Sequence, residues 1–219
     1  MNNRIFIIGG GPSLKGFNFK KFTNKDTIAT NEAIFDIRTS NYFMTIDYSW
    51  VDRMTKKKKD LLFNQCKSTK IFVANCATGR LKEIDGTITD TKIGLKYNML
   101  DRFDKVIKSN RKDGLGKSFN DFRTGDNSGY CAMQLALILG YKKIYLCGID
   151  LNDSKDTHYH NRYKVNSKKF SRFMDNFRGY FKDAVINYKS VFPNTEIISC
   201  SKNGYLNKFI KYQDINSVV

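Results

Sequence analysis

The chain carries two histidines, His158 and His160, and both fall in one polar stretch, DSKDTHYHNRY (153–163). Tyr159, Arg162 and Tyr163 stand around them. Imidazole is the side chain that ordinarily titrates close to neutrality. Such a pair therefore suits a general base, or a grip on a phosphate shared with the arginine and tyrosines. A metal reading would add Asp150 and Asp153, and it ranks lower because spacing dictates no third ligand.

A second stretch offers backbone chemistry. In FIIGGGPSL (6–14) an apolar run ends in Gly9, Gly10 and Gly11, then Pro12 and Ser13. Glycines after a strand let backbone N–H groups approach a phosphate, and a turn or helix start beyond them adds favourable partial charge. The run is neither GxGxxG nor GxxxxGK[ST], and no lysine stands where a P-loop needs one. A plain strand-to-helix turn explains it equally well. DNSGY (126–130) is another anion candidate through Asn127, Ser128 and Gly129, with ordinary helix capping as the competing explanation.

These groups need elements to position them. RIFII (4–8), DTIATN (26–31), YFMTID (42–47), KIFVAN (70–75), KKIYLCGID (142–150) and TEIISC (195–200) read as short strands. EAIFDIRTS allows a helical turn or two, and SWVDRMTKKKKDLLFNQC (49–66) is a helix candidate whose lysines read as a solvated face. Ala132, Leu135, Ala136 and Leu139 follow i, i+3, i+4, i+7, with Asn127 or Ser128 as N-cap and Gly140 as stop. From 166 to about 190, Phe170, Phe173, Phe177, Phe181, Ala184 and Tyr188 form a helical stripe that reads as core packing. A last short helix is expected in KNGYLNKFIKY. Residues 76–126 are polar and Gly-rich without periodicity, and read as an irregular insertion.

Strands alternating with helices predict an α/β fold, a Rossmann-like, mostly parallel sheet flanked by helices. A single nucleotide-binding domain over 1–219 is expected. In such a sheet ligands bind beyond the carboxyl ends of the strands. Those ends collect Gly9 to Ser13, Asn31, Asp47, Asn75 and Asp150.

Composition sets the frame. Lys and Arg total 38 against 21 acidic residues, a net charge of +17 that draws anions without choosing among nucleotides, nucleic acid, anionic glycans and lipid head groups. Five cysteines with no CxxC spacing argue against a disulfide framework and a zinc site. No run approaches the ~20 apolar residues of a membrane span. The start MNNRIFIIGG lacks the pattern of a signal peptide, so a cytoplasmic protein is expected.

Taken in order, GGGPSL, TNEA, NSGYCAMQLALILGYKKIYLCGIDL, a His-bearing loop and SCSKNGYLNKF resemble the bacterial α-2,3/α-2,8 sialyltransferases that build lipooligosaccharides. They also resemble a wider group of uncharacterised and pterin-pyrophosphokinase-like proteins. The likeness spans the first 50 residues and 125–210. It implies a GT-A variant fold and use of CMP-sialic acid without a metal. It would lay Gly9, Gly10, Gly11 and Ser13 along the donor phosphate and nucleotide, with Asn31 and Asp150 by the nucleotide. Ser128 would hold the donor sugar's carboxylate, and His158 or His160 would deprotonate the acceptor hydroxyl. The chain departs from that pattern at Gly10 and Asp47, where the family has asparagines, and at Asn152, where it has a phosphate-binding tyrosine that Tyr159 or Tyr163 would replace.

Three function classes follow. The first is a glycosyltransferase with a CMP- or UDP-type sugar donor and an acceptor that is a glycan or modified DNA, forming homo-oligomers as the resemblance suggests. The second is a phosphotransferase resembling the pyrophosphokinases, with Mg²⁺ on Asp47 and Asp150. The third is a non-catalytic nucleic-acid-binding protein using the aromatic and basic residues of KKFSRFMDNFRGYFKD.

Overall fold

The computed structural model describes residues 3–46, 55–66, 69–76, 81–84, 87–90, 104–109, 111–153, 158–160 and 167–219. The strands are β1 (Arg4–Ile8), β2 (Thr27–Thr30), β3 (Tyr42–Thr45), β4 (Lys70–Cys76), β5 (Leu81–Ile84), β6 (Thr87–Asp90), β7 (Lys105–Ser109), β8 (Lys143–Cys147) and β9 (Glu196–Ser199). Seven of them form one sheet in the order β7-β4-β3-β2-β1-β8-β9, and every neighbouring pair is parallel. β5 and β6 make a separate antiparallel pair.

Strand β1 shows why the sheet is buried on both faces. Ile5 and Ile7 join one core with Ile28, Met44 and Ile144, while Phe6 and Ile8 join the other with Ala29, Phe43 and Ile198. A strand covered on both sides reads as a continuous apolar run. Each such side chain contributes about 1.5–3 kcal/mol on burial.

The first face is covered by two helices, whose residues share its core. Helix α2 (Ser128–Ile138) is buried at every residue from Ser128 to Leu137, so Ala132, Leu135 and Ala136 of the expected stripe sit in a helix enclosed all round, while Leu139 is its half-buried C-cap. Gly140, at φ +85°, ends it in the left-handed conformation. Helix α3 (Ser167–Val191) buries Met174, Phe181, Ala184, Val185 and Tyr188. The second face is covered by short pieces: 3-10 turns at Pro12–Leu14, Phe19–Phe22 and Asn31–Phe35, the short helix α1 (Lys56–Asp60) with its continuation, and the terminal α4 (Ile215–Val218). Cys66, Cys131, Cys147 and Cys200 are buried and unbridged, as apolar packing residues should be. Burial, and then Cys200 beside it, pushes the Cys147 thiol well up.

Two expectations need correction. Residues 76–126 are more than an irregular excursion, because β7 joins the sheet beside β4 as its edge strand. The candidate helix over 49–66 is helical from Lys56, and its residues 49–54 lie outside the described residues. Among the described residues, no helix is long and apolar enough to cross a membrane.

The strand order has one functional consequence. From β1 the chain runs outward through β2, β3 and β4, then returns to place β8 on β1's other side. Such a reversal opens a crevice at the strands' carboxyl ends.

Candidate active site

At that reversal the ends of β1, β2 and β8, the start of α2 and the first half of α3 enclose a cavity of about 160 Å³. The glycine turn forms one wall. Gly9 N–H donates to Cys147 O and Gly11 N–H to Gly148 O, both at 2.8 Å, so β1's path continues alongside the end of β8. The approach is close. A Cβ on Gly9 would lie 2.5 Å from Gly148 O, and one on Gly11 would lie 2.6 Å from that oxygen and 2.7 Å from Asp150 Cγ. On Gly10 it would lie 2.8 Å from His158 Cδ2. The three glycines keep ordinary negative φ, so space and not backbone freedom demands them.

Asp150, 5% exposed, anchors this wall. Its carboxylate accepts from Ser13 N–H at 2.8 Å and from Ser13 Oγ at 2.6 Å. Its backbone oxygen accepts from Tyr205 N–H at 2.8 Å. One residue thereby ties the glycine turn, the end of β8 and the SCSKNGYLNKF segment. The anion at the start of the Pro12–Leu14 turn is the protein's own. The magnesium reading needed Asp47 and Asp150 together. Each Asp150 oxygen accepts one hydrogen bond from Ser13, and Asp47 lies outside the described residues.

Opposite stand Asn31 and the start of α2. Asn31 adopts φ +49° at the end of β2, and its Oδ1 accepts from Thr45 Oγ1 at 2.8 Å and Ser128 Oγ at 3.3 Å. Ser128 Oγ in turn accepts from Ile46 N–H at 3.2 Å. The serine hydroxyl's proton is thus spent on orienting Asn31, which leaves the Asn31 amide N–H pair as donors. Asn127 is the N-cap, accepting from Gly129 N–H at 2.8 Å and Tyr130 N–H at 3.2 Å. Among the described residues no acceptor takes the Gly10 or Ser128 backbone N–H. The cavity therefore offers uncharged N–H donors from two sides. Among the described residues no cationic side chain lines it, and the Asp150 carboxylate is the one charged group that does.

The histidines divide. His158 lines the cavity, while His160 stacks behind it with ring centroids 5.2 Å apart. Burial, and then the neighbouring His160, lowers the His158 pKa to about 4, with Glu32 pulling the other way. Glu32 is 3% exposed and held by Lys58 Nζ at 2.7 Å, a pair the sequence reading missed. His158 is therefore neutral at pH 7. The unfolded chain holds its histidines near 6.5 and binds a proton there first, so this group's contribution favours folding above about 6.5 and is lost as pH falls toward 4. The urea midpoint of the wild type should fall more between pH 7 and 5 than that of His158→Asn.

Tyr159 points elsewhere. Its hydroxyl donates to Asp36 Oδ2 at 2.5 Å, so it is committed away from any phosphate. Arg162 and Tyr163 lie outside the described residues. Asn152 does line the cavity, on a loop after β8 that Arg178 fastens by donating from Nε to Leu151 O at 2.8 Å and pairing with Asp153 at 2.8 Å. The α3 stripe, read as core alone, also reaches the site. Met174 and Phe177 line the cavity, and Phe173 is 46% exposed beside Phe177. The signal was the stripe's position directly after the histidine loop.

No protein-family model and no curated protein matches the chain. Solved structures do. The sialyltransferase CstII from Campylobacter jejuni, in complex with the substrate analogue CMP-3FNeuAc, superposes with a TM-score of 0.56 at 18% identity, over 95% of this chain and 85% of that one. The sialyltransferase CST-II in complex with a trisaccharide acceptor and CMP gives 0.57 at 18% identity, over 99% of this chain and 88% of that one. At such identity the likeness establishes a shared fold.

Proposed function

We propose that the chain is a nucleotide-sugar-dependent glycosyltransferase of the sialyltransferase-like, GT-A variant kind, using a CMP- or UDP-type donor without a required metal. The observation that carries this reading is a neutral histidine beside a cavity walled by uncharged N–H donors, at the sheet's reversal point. The solved structures of the same fold that bind CMP support the donor class.

In the proposed reaction His158 takes the proton of an acceptor hydroxyl, and the oxygen attacks the anomeric carbon of the donor sugar. The bond from that carbon to the phosphate oxygen breaks, and the nucleotide leaves with its electron pair. The Gly10 and Ser128 amides and the Asn31 side chain would meet the charge developing on the phosphate. Donors pre-aimed at such charge are among the larger contributions to catalysis. A net charge of +17 outside the cavity favours an anionic acceptor such as a glycan or DNA.

Thermal shift against CMP, UDP, GDP, ATP and their sugar conjugates, each with and without Mg²⁺, tests the donor. A ligand at 100 times its Kd adds about 2.7 kcal/mol, roughly 5–10 °C for a chain of this size. A shift with CMP or UDP compounds in EDTA is expected. A shift that appears only with ATP and Mg²⁺, or none at all, would overturn the reading.

A further inference from the structure

We infer that Tyr159, through Asp36, is a positioning residue that holds His158 against the glycine turn and ties it to the turn carrying Asn31. The inference rests on His158 as the base in the proposed reaction.

Three attachments of Tyr159 carry it. Its backbone N–H donates to Gly10 O at 2.9 Å. That bond places the chain one peptide from His158 directly on the glycine turn, which is why the imidazole occupies the space where a Gly10 side chain would stand. Its hydroxyl donates to Asp36 Oδ2 at 2.5 Å. Its ring packs on Phe19 with centroids 5.2 Å apart and meets His160 edge-on at 4.9 Å, behind the stacked His158.

Asp36 is the significant partner. It closes the Asn31–Phe35 turn that begins with the cavity's amide donor. The Tyr159 hydroxyl therefore spans the two halves of the site, the base on one and the nucleotide-facing asparagine on the other. A base must sit within hydrogen-bond reach of the proton it takes, and small misplacements lower rates steeply. A tyrosine that merely filled space would not need this hydroxyl.

Tyr159→Phe keeps the ring and the backbone bond and removes only the hydroxyl contact. Asp36→Asn reaches the same contact from the other side. With only two histidines in the chain, imidazole NMR signals can be assigned by His160→Gln. The first readout is the nuclear Overhauser contact between the His158 ring and the Gly10 α-protons, expected in the wild type and weakened at least threefold in both variants. The second is the His158 titration. Among the described residues the titratable and charged groups around it are His160 on its own loop, Glu32 on the turn after β2 with its partner Lys58 on α1, and Asp150 in the same cavity wall. Release of the ring into water moves its midpoint up from about 4 toward 6.5. In Asp36→Asn the loss of a negative charge alone would lower it, so an upward move in both variants reports release.

The double variant should be no worse than either single one. If the Overhauser contact and the titration are unchanged in both variants, the inference is overturned, whatever the activity. If both move as expected, the positioning role stands. An active wild type whose kcat then falls about tenfold or more, with nucleotide KM within twofold, links that role to the reaction. A change in melting temperature alone, with His158 undisturbed, counts against it.

Discussion

His158→Asn is expected to lower kcat by about 10²–10⁴-fold, the usual contribution of a positioned general base, while nucleotide affinity stays within about threefold. His160→Asn should cost less than about tenfold, because His160 stacks behind the cavity residue and does not line the cavity. A base with a pKa of about 4 is a weak one, and its depression arises from burial and a neighbouring imidazole. A donor phosphate placed on the glycine turn, over which the His158 ring sits, would bring a negative charge close to it. An opposite charge favours the imidazolium and raises its pKa. The limb of kcat/KM, which reports the free enzyme, should therefore fall off at lower pH than the limb of kcat, which reports the complex. Both rate profiles over pH 4–9 check this. If His158→Asn retains wild-type kcat, or if the two limbs coincide, the histidine is not acting as the base.

The sheet was legible where burial on both faces wrote long apolar runs, as in RIFII and KIYLC. Strand β7 was not, because an edge strand needs fewer apolar residues and KVIKS flanks two of them with lysines. For the site, types and chain order were enough to collect the glycine turn, Asn31, the start of α2, Asp150 and one histidine at the strand ends. What sequence could not convey was direction. Ser13 and Asp150 were both read as ligand contacts, and the structure adds that they bond to each other. Tyr159 was read as a phosphate ligand, yet its hydroxyl turns to Asp36. Glu32 lies next to Asn31 and finds its partner Lys58 26 positions away. In each case the deciding fact is a partner distant along the chain, which local pattern does not encode.

The glycine turn poses the hardest version of that problem, and Gly11→Ala addresses it. The added methyl would stand 2.6 Å from Gly148 O and 2.7 Å from Asp150 Cγ. Neither neighbour yields easily, since one is backbone and the other is a carboxylate held by two bonds from Ser13. Overpacking of this kind costs about 1–3 kcal/mol, roughly 2–12 °C in melting temperature at this chain length. Gly16→Ala is the control: its φ of +77° brings backbone strain of about 1–2 kcal/mol, but no atom lies within 4 Å of the new methyl. Both variants should melt below the wild type in scanning calorimetry, Gly11→Ala by the wider margin because its methyl meets atoms that do not move aside easily. The relief open to Gly11→Ala is to push Asp150 away, which frees the Ser13 hydrogens and moves the turn whose Gly10 amide faces the cavity. Nucleotide affinity, measured by titration calorimetry well below the melting temperature, should then fall more than tenfold in Gly11→Ala and stay unchanged in Gly16→Ala. Lost stability with full affinity would mean that Gly11 serves only the junction of β1 with β8. Lost affinity at unchanged stability would mean that it serves only the ligand. The expected loss of both follows from the geometry, because the atoms that exclude a side chain at Gly11 are the same atoms that hold the turn where the proposed donor phosphate would lie.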